Sequence, residues 1–208
     1  KSQYNGLAEY FVPSVDTHIF FPNISRNIEK GHFTVFFYGR PGHPRNGFEL
    51  GTSALNKLKQ KMGDSLSIIS AGAEWNPRDY GLEEVVVNLG ILTPQQTASL
   101  YRTCDVGLAM MFTKHPSYLP FEFMASGCMV VSNKNSATKW LLQDGYNCML
   151  TDATPTCIAE TLEGALLNTK KRQEIVTNAH QMILAQFSDW ESQMNKIFRF
   201  MENPQKHS

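Results

Sequence analysis

The chain has 208 residues, 42% hydrophobic and 18% charged, with 19 basic and 19 acidic side chains. That length supports one sizeable core with extra elements at its ends, in an ordinary globular composition. A formal net charge of zero gives no bulk attraction for a polyanion, so nucleic acid is not an expected partner and any anion must be held by a local site.

Residues 1–22 are aromatic-rich, lack periodicity and contain Pro13 and Pro22, so they read as an extended lead-in or an interdomain linker. His32 to Gly39 (H-F-T-V-F-F-Y-G) is an almost continuous apolar run, as expected of a strand buried on both faces of a parallel sheet. Arg40 to Asn46 (R-P-G-H-P-R-N) is a turn-forming loop. Gly47 to Met62 carries Phe48, Leu50, Leu55, Leu58 and Met62 as a helical stripe. Ser65 to Ala71 is the second expected strand, and Glu84 to Leu89 the third. Thr93 is a natural N-cap, with Pro94 at the first position of a helix to about Thr103. Asp105 to Met111 is the fourth strand.

His115 to Asn133 (H-P-S-Y-L-P-F-E-F-M-A-S-G-C-M-V-V-S-N) reads as a loop, a short helix from about Pro120, a stop at Gly127 and a fifth strand, Cys128 to Ser132. A short helix is expected over Ser136 to Gln143, and a sixth strand over Asn147 to Leu150. Helices follow from Pro155 to Asn168 with Thr154 as N-cap, and from Lys170 to Phe187. The last, Asp189 to Met201, is amphipathic with Trp190, Met194, Ile197, Phe198 and Met201. This alternation implies an α/β fold, a doubly wound, mostly parallel, six-stranded Rossmann-like sheet with helices on both faces and a C-terminal helical extension.

In such sheets ligands bind beyond the carboxyl ends of the strands. Arg40 and Arg45 fall in the first loop at that edge, where two guanidinium groups suit a phosphate or diphosphate. Glu122 falls in the first turn of the short helix, either complementing its dipole or accepting hydrogen bonds from a sugar diol. Backbone N–H groups near Leu119 to Phe121 are expected to face a phosphate. The glycines at 39, 42 and 47 match neither G-x-G-x-x-G nor a P-loop, and no nucleophile elbow or metal-ligand spacing appears. Cys104, Cys128, Cys148 and Cys157 form no C-x-x-C pair and read as reduced thiols of a cytosolic protein. No signal peptide or membrane-spanning run is evident, and the first residue is Lys, as in a fragment of a longer chain.

Five blocks together resemble the C-terminal, donor-binding half of GT-B-fold glycosyltransferases over about Pro13 to Met201. They are V-D-T-H-I-F-F-P (Val15 to Pro22), Y-G-R-P-G-H-P-R-N-G-F (Tyr38 to Phe48), V-N-L-G-I-L-T-P-Q-Q-T-A-S-L-Y-R-T-C-D-V-G-L (Val87 to Leu108), P-F-E-F-M-A-S-G-C-M-V-V-S-N (Pro120 to Asn133) and D-G-Y-N-C-M-L (Asp144 to Leu150) followed by a helix. The resemblance implies three parts: a linker over 1–22, a nucleotide-sugar-binding domain over 23–188, and a terminal helix and tail over 189–208. It implies that Arg40 and Arg45 contact the diphosphate of a dTDP-, UDP- or GDP-linked sugar and that Glu122 binds the ribose. Gly39, His115, Ser117, Tyr118 and Leu119 would lie against sugar and phosphates, and Gly90, Ile91 and Leu92 would flank the base. No cofactor or metal is expected. In the retaining Glu-x7-Glu family the first glutamate falls on Lys114 here, so a lysine replaces that carboxylate. H-P-S-Y-x-P-x-E (His115 to Glu122) further resembles rhamnan-synthesis rhamnosyltransferases, which use dTDP-L-rhamnose. A glycan or lipid-linked glycan acceptor and an N-terminal domain of the same protein are the implied partners, in the cytoplasm or at the inner membrane face. A nucleotide-sugar epimerase of the same architecture and a non-enzymatic doubly wound binding module are the alternatives.

Overall fold

A computed structural model describes residues 7–23 and 31–204. Its centre is one six-stranded, wholly parallel sheet in the order β3-β2-β1-β4-β5-β6. The strands are β1 (Phe33–Tyr38), β2 (Leu66–Ala71), β3 (Val87–Asn88), β4 (Val106–Ala109), β5 (Met129–Asn133) and β6 (Met149–Thr151). The helices are α1 (Phe48–Met62), α2 (Pro94–Tyr101), α3 (Leu119–Ala125), α4 (Pro155–Leu167), α5 (Thr169–Gln186) and α6 (Trp190–Glu202).

β1 shows why its apolar run is continuous. Val35 and Phe37 enter one core with α1 and α4, and Phe36 enters the other with α2, α3 and α5. Each face is covered, so alternate residues have no polar side to face. Gly107 in β4 permits a close approach on the second face. A Cβ there would stand 2.3 Å from the Phe123 ring, so α3 sits lower on the sheet than any side chain at 107 would allow.

Thr93 caps α2 in a reciprocal box: its hydroxyl accepts from the Gln96 N–H while the Gln96 side chain accepts from the Thr93 N–H. Such a cap contributes about 1 kcal/mol. Two expected elements differ. β3 is only Val87–Asn88 because the Val85 and Val86 N–H groups are spent on the Leu82 carbonyl in a turn that buries Leu82 and Val86. Over 136–143 a 3-10 turn (Ser136–Thr138) and further turns replace the helix. Asn147 ends it, its side chain accepting from the Gln143 N–H (2.8 Å) and donating to the Leu141 carbonyl (2.8 Å).

The lead-in does not hang free. Val15 and Phe20 are buried with Phe36, and Val15 N–H donates to the Phe187 carbonyl (2.7 Å). Val12 N–H donates to Gln193 of α6 (2.9 Å), and Lys196 pairs with Glu9 (2.9 Å). On the other side, Arg172 is buried beside Asp105 (3.5 Å) and donates to the Ala165 and Leu166 carbonyls at the end of α4.

Candidate functional site

The strand order reverses between β1 and β4, and the loops leaving these neighbours diverge to opposite faces. That divergence opens a crevice at the carboxyl edge of the sheet. The crevice here holds a cavity of about 580 Å³, of ordinary size for a small-molecule site. Three groups of residues line it. From β1 and its loop come Tyr38, Arg40, Arg45 and Asn46; from the β2 and β3 side come Gly72, Ile91, Leu92, Pro94 and Thr97; from β4 and α3 come Met110, Met111, Thr113, His115, Ser117, Tyr118, Leu119 and Glu122.

Local hydrogen bonds fix each wall. Pro44–Asn46 forms a 3-10 turn, and Gly47 reverses the chain into α1 with φ 59° and ψ 43°. Only glycine is at ease there, and a Cβ would also meet the Phe112 ring at 2.6 Å. The Phe112 N–H donates to the Arg45 carbonyl (3.2 Å), which ties the β1 loop to the β4 loop. The β4 loop is held in turn by two asparagines. Asn133 accepts from the Met111 N–H (2.7 Å) and donates to its carbonyl (2.9 Å), and Asn135 donates to the Thr113 carbonyl (2.9 Å).

The charges sit differently on the two walls. Arg45 is exposed, and Arg40 is half-buried with an Nη 3.2 Å from His43 Nε2. Arg40 Nε and Asn46 Nδ2 are both buried without a hydrogen-bond partner. Glu122 is half-buried, and burial pushes its carboxyl up from 4.5 to about 7. Burial also raises the hydroxyls of Tyr101 and Tyr118, and the charge of the nearby Glu122 adds to both.

The first turn of α3 offers fewer donors than expected. Leu119 N–H donates to Ser117 Oγ (3.2 Å), Pro120 has no N–H, and Glu122 N–H donates to the Tyr118 carbonyl (3.0 Å). Phe121 is then the first-turn residue whose N–H is not spent in these contacts. The base-side loop is similarly committed. Gly90 accepts from the Gly72 N–H (2.9 Å), its own N–H donates to Asn88 (3.3 Å), and Ile91 N–H donates to Glu74 (3.4 Å). Ile91 and Leu92 line the cavity; Gly39 and Gly90 are not among the lining residues. Lys114 is exposed on the β4 loop and is not among the lining residues. Asn46 and Tyr101 also line the cavity; each falls inside a block that carries the resemblance, but the sequence assigns neither a role there. Among the described residues no group of three or more His, Cys, Asp or Glu is placed to hold a metal ion. No helix among them is long and apolar enough to cross a membrane.

A family model described as WsaF, C-terminal domain, matches residues 33–163. The chain belongs to that family. Its fold is that of the C-terminal domains of GT-B glycosyltransferases. The chain is 44% identical over 198 residues to O-antigen biosynthesis protein RfbC of Myxococcus xanthus, a match that takes in 95% of this chain and 15% of that protein. It therefore spans less than a fifth of this curated relative. Among solved structures it is similar to the C-terminal domain of a glycosyl transferase group 1 family protein (LpcC) from Francisella tularensis, with TM-score 0.70, 21% identity, and 84% of this chain against 99% of that one. It is also similar to Anabaena Alr3699/HepE, solved in complex with UDP and glucose, with TM-score 0.74, 20% identity, and 93% of this chain against 56% of that one. At these identities the two structures speak for the fold, and the WsaF C-terminal family match and the RfbC relative speak for the lineage.

Proposed function

We propose that this WsaF C-terminal family domain binds the donor of a glycosyltransferase, one that moves a sugar from a nucleoside-diphosphate sugar to a glycan acceptor in O-antigen-type polysaccharide synthesis. One observation carries the reading: two arginines and a partly buried carboxyl line a single cavity at the switch point of a parallel sheet. In glycosyl transfer the leaving group is the nucleoside diphosphate, so catalysis requires stabilising negative charge on its oxygens as the glycosidic bond breaks. Arg40 and Arg45 supply that charge, bidentately where the geometry allows. Asn46 adds a neutral donor. Glu122 accepts from the ribose diol, and Leu92 with Thr97 borders the base. The guanidinium pair fills the place of a divalent cation, so binding is metal-independent. The names of the relatives, an O-antigen biosynthesis protein and a protein solved with UDP and glucose, agree with this donor class.

Rhamnose is the proposed sugar. Met110, Met111 and Leu119 line the β4 side of the cavity, and a 6-deoxy sugar presents a methyl group where other hexoses present a hydroxyl. Lys114, in place of a carboxylate, removes one acceptor for sugar hydroxyls from that loop. The reaction belongs on the cytoplasmic side, where nucleotide sugars are made. Titration calorimetry tests the proposal. UDP and dTDP bind with EDTA present, and dTDP-rhamnose binds more tightly than UDP-glucose. Absence of heat with every nucleotide would sink the donor reading; preference for UDP-glucose would sink the rhamnose assignment alone.

A further inference from the structure

Donor binding as described gives Tyr101 no task, although it stands in the wall of the cavity. Pro94, Thr97 and Tyr101 follow at three- and four-residue spacing and all line it, so one face of α2 runs along the cavity from its capped start to its last turn. Tyr101 is 2% exposed. Three rings box it in: Phe123 at 4.6 Å and Phe36 at 4.9 Å, both edge-on, and Phe20 at 6.2 Å. Neither the Tyr101 hydroxyl nor the Glu122 carboxyl has a hydrogen-bond partner among the described residues. Glu122 precedes Phe123 on α3 and lines the same cavity, and its charge acts on the Tyr101 hydroxyl more than that of Cys128, Tyr38 or Cys104.

We infer that Tyr101 is a second ligand of the nucleotide's furanose: with Glu122 it holds the 3′-hydroxyl, which donates to the carboxylate and accepts from the phenol. The inference rests on the donor reading of the cavity and adds a contact to it. A carboxylate only accepts and a phenol can donate, so the group between them gives one hydrogen bond and takes another. A hydroxyl does both through one atom. An ammonium cannot accept, a carbonyl cannot donate, and a phosphate is repelled by Glu122. The position also selects the furanose. Leu92 and Thr97 border the base, Arg40 and Arg45 meet the diphosphate, and Tyr101 lies one helical turn beyond Thr97. The furanose joins base to diphosphate, and its 3′-hydroxyl is the one that UDP and dTDP have in common. Tyr118 is the poorer candidate, because at 41% exposed its hydroxyl is contested by water. Tyr101 is fixed by its packing, loses little freedom on binding, and is left with an unpaired hydroxyl when the ligand lacks its own.

Titration calorimetry with dTDP, 3′-deoxythymidine diphosphate and inorganic diphosphate tests this on the whole chain. The wild type binds dTDP about thirtyfold more tightly than the 3′-deoxy compound, which leaves both side chains unpaired. Tyr101→Phe keeps the ring, weakens dTDP about fivefold and shifts the 3′-deoxy compound by less than about twofold, so discrimination falls to about sixfold. Inorganic diphosphate binds the variant as it binds the wild type, which shows that the variant is folded. Equal affinity of the wild type for the two nucleotides overturns the inference without any variant. So does dTDP affinity unchanged in Tyr101→Phe, and so does an equal loss for both nucleotides, which is the mark of a packing role. In each of these cases dTDP still binds the wild type and the donor reading stands. A wild type that binds no nucleotide overturns the donor reading and the inference together.

Discussion

The two walls of the cavity handle charge in opposite ways. The β1 wall carries its cations on a short turn, with Arg45 exposed and Arg40 half-buried. The β4 wall carries its carboxyl on a helix seated against the sheet, where burial lifts it to about 7. A cation on a solvated turn costs little before the ligand arrives and can adjust to an anion. A carboxyl on a packed helix is costly to ionise and fixed in place. The first arrangement suits strong, loosely specified attraction for a diphosphate; the second suits recognition of a neutral diol at a defined position.

The contrast breaks most visibly on the β1 wall. Arg40→Ala with Arg45→Ala removes two charge-assisted contacts, and UDP affinity falls by about 100-fold or more. Calorimetry at two salt concentrations checks this, because the remaining binding loses most of its salt dependence. On the β4 wall the expected effect is smaller and depends on the ligand. Glu122→Gln weakens UDP about tenfold and leaves inorganic diphosphate unchanged. If both ligands weaken equally, Glu122 is not a ribose contact.

The effect of pH is subtler and sharpens the same division. A carboxyl raised from 4.5 to about 7 binds more protons in the folded chain than in the unfolded one between those values. The native stability it confers is therefore present in full below 4.5 and lost as pH rises through about 7. Glu122→Gln flattens that part of the stability profile in urea titrations. Binding runs the other way: a diol donates to the ionised form, so UDP affinity rises through about pH 7 relative to Glu122→Gln, which also controls for titration of the ligand. The smallest change is expected at Lys114→Ala. This residue is exposed and outside the lining, and UDP affinity shifts by less than about threefold.

Much of this fold could be read from the sequence because local signals agreed with global ones. The buried runs of β1, β2, β4 and β5 and the caps at Thr93 and Thr154 each mark an element on short-range grounds. Val85 and Val86 misled because β-branched residues also suit a buried turn at a sheet edge. Residues 136–143 misled because the side chain of Asn147, just beyond them, takes backbone groups that a helix would use. The site divides along the same line. The loops carrying Arg40, Arg45 and Glu122 were legible as belonging to one sheet edge. That Asn46 lines the cavity, that Lys114 does not, and that Ser117 consumes the Leu119 N–H depend on how the loops close, which strand alternation leaves open. Asn133 and Asn135 were equally silent, since their amides clamp a loop more than twenty positions earlier.

The lead-in segment sets the order in which the chain can finish folding. Val12 reaches its partner Gln193 across 181 positions, and the backbone of Val15 waits for Phe187. During synthesis these first residues emerge long before the helices that hold them, and Phe20 has no complete pocket until α5 is made. Contacts so distant in sequence close late and slowly. The ribosome must therefore release almost the whole domain before its opening residues are secured, and those opening residues are the last part of the fold to become protected.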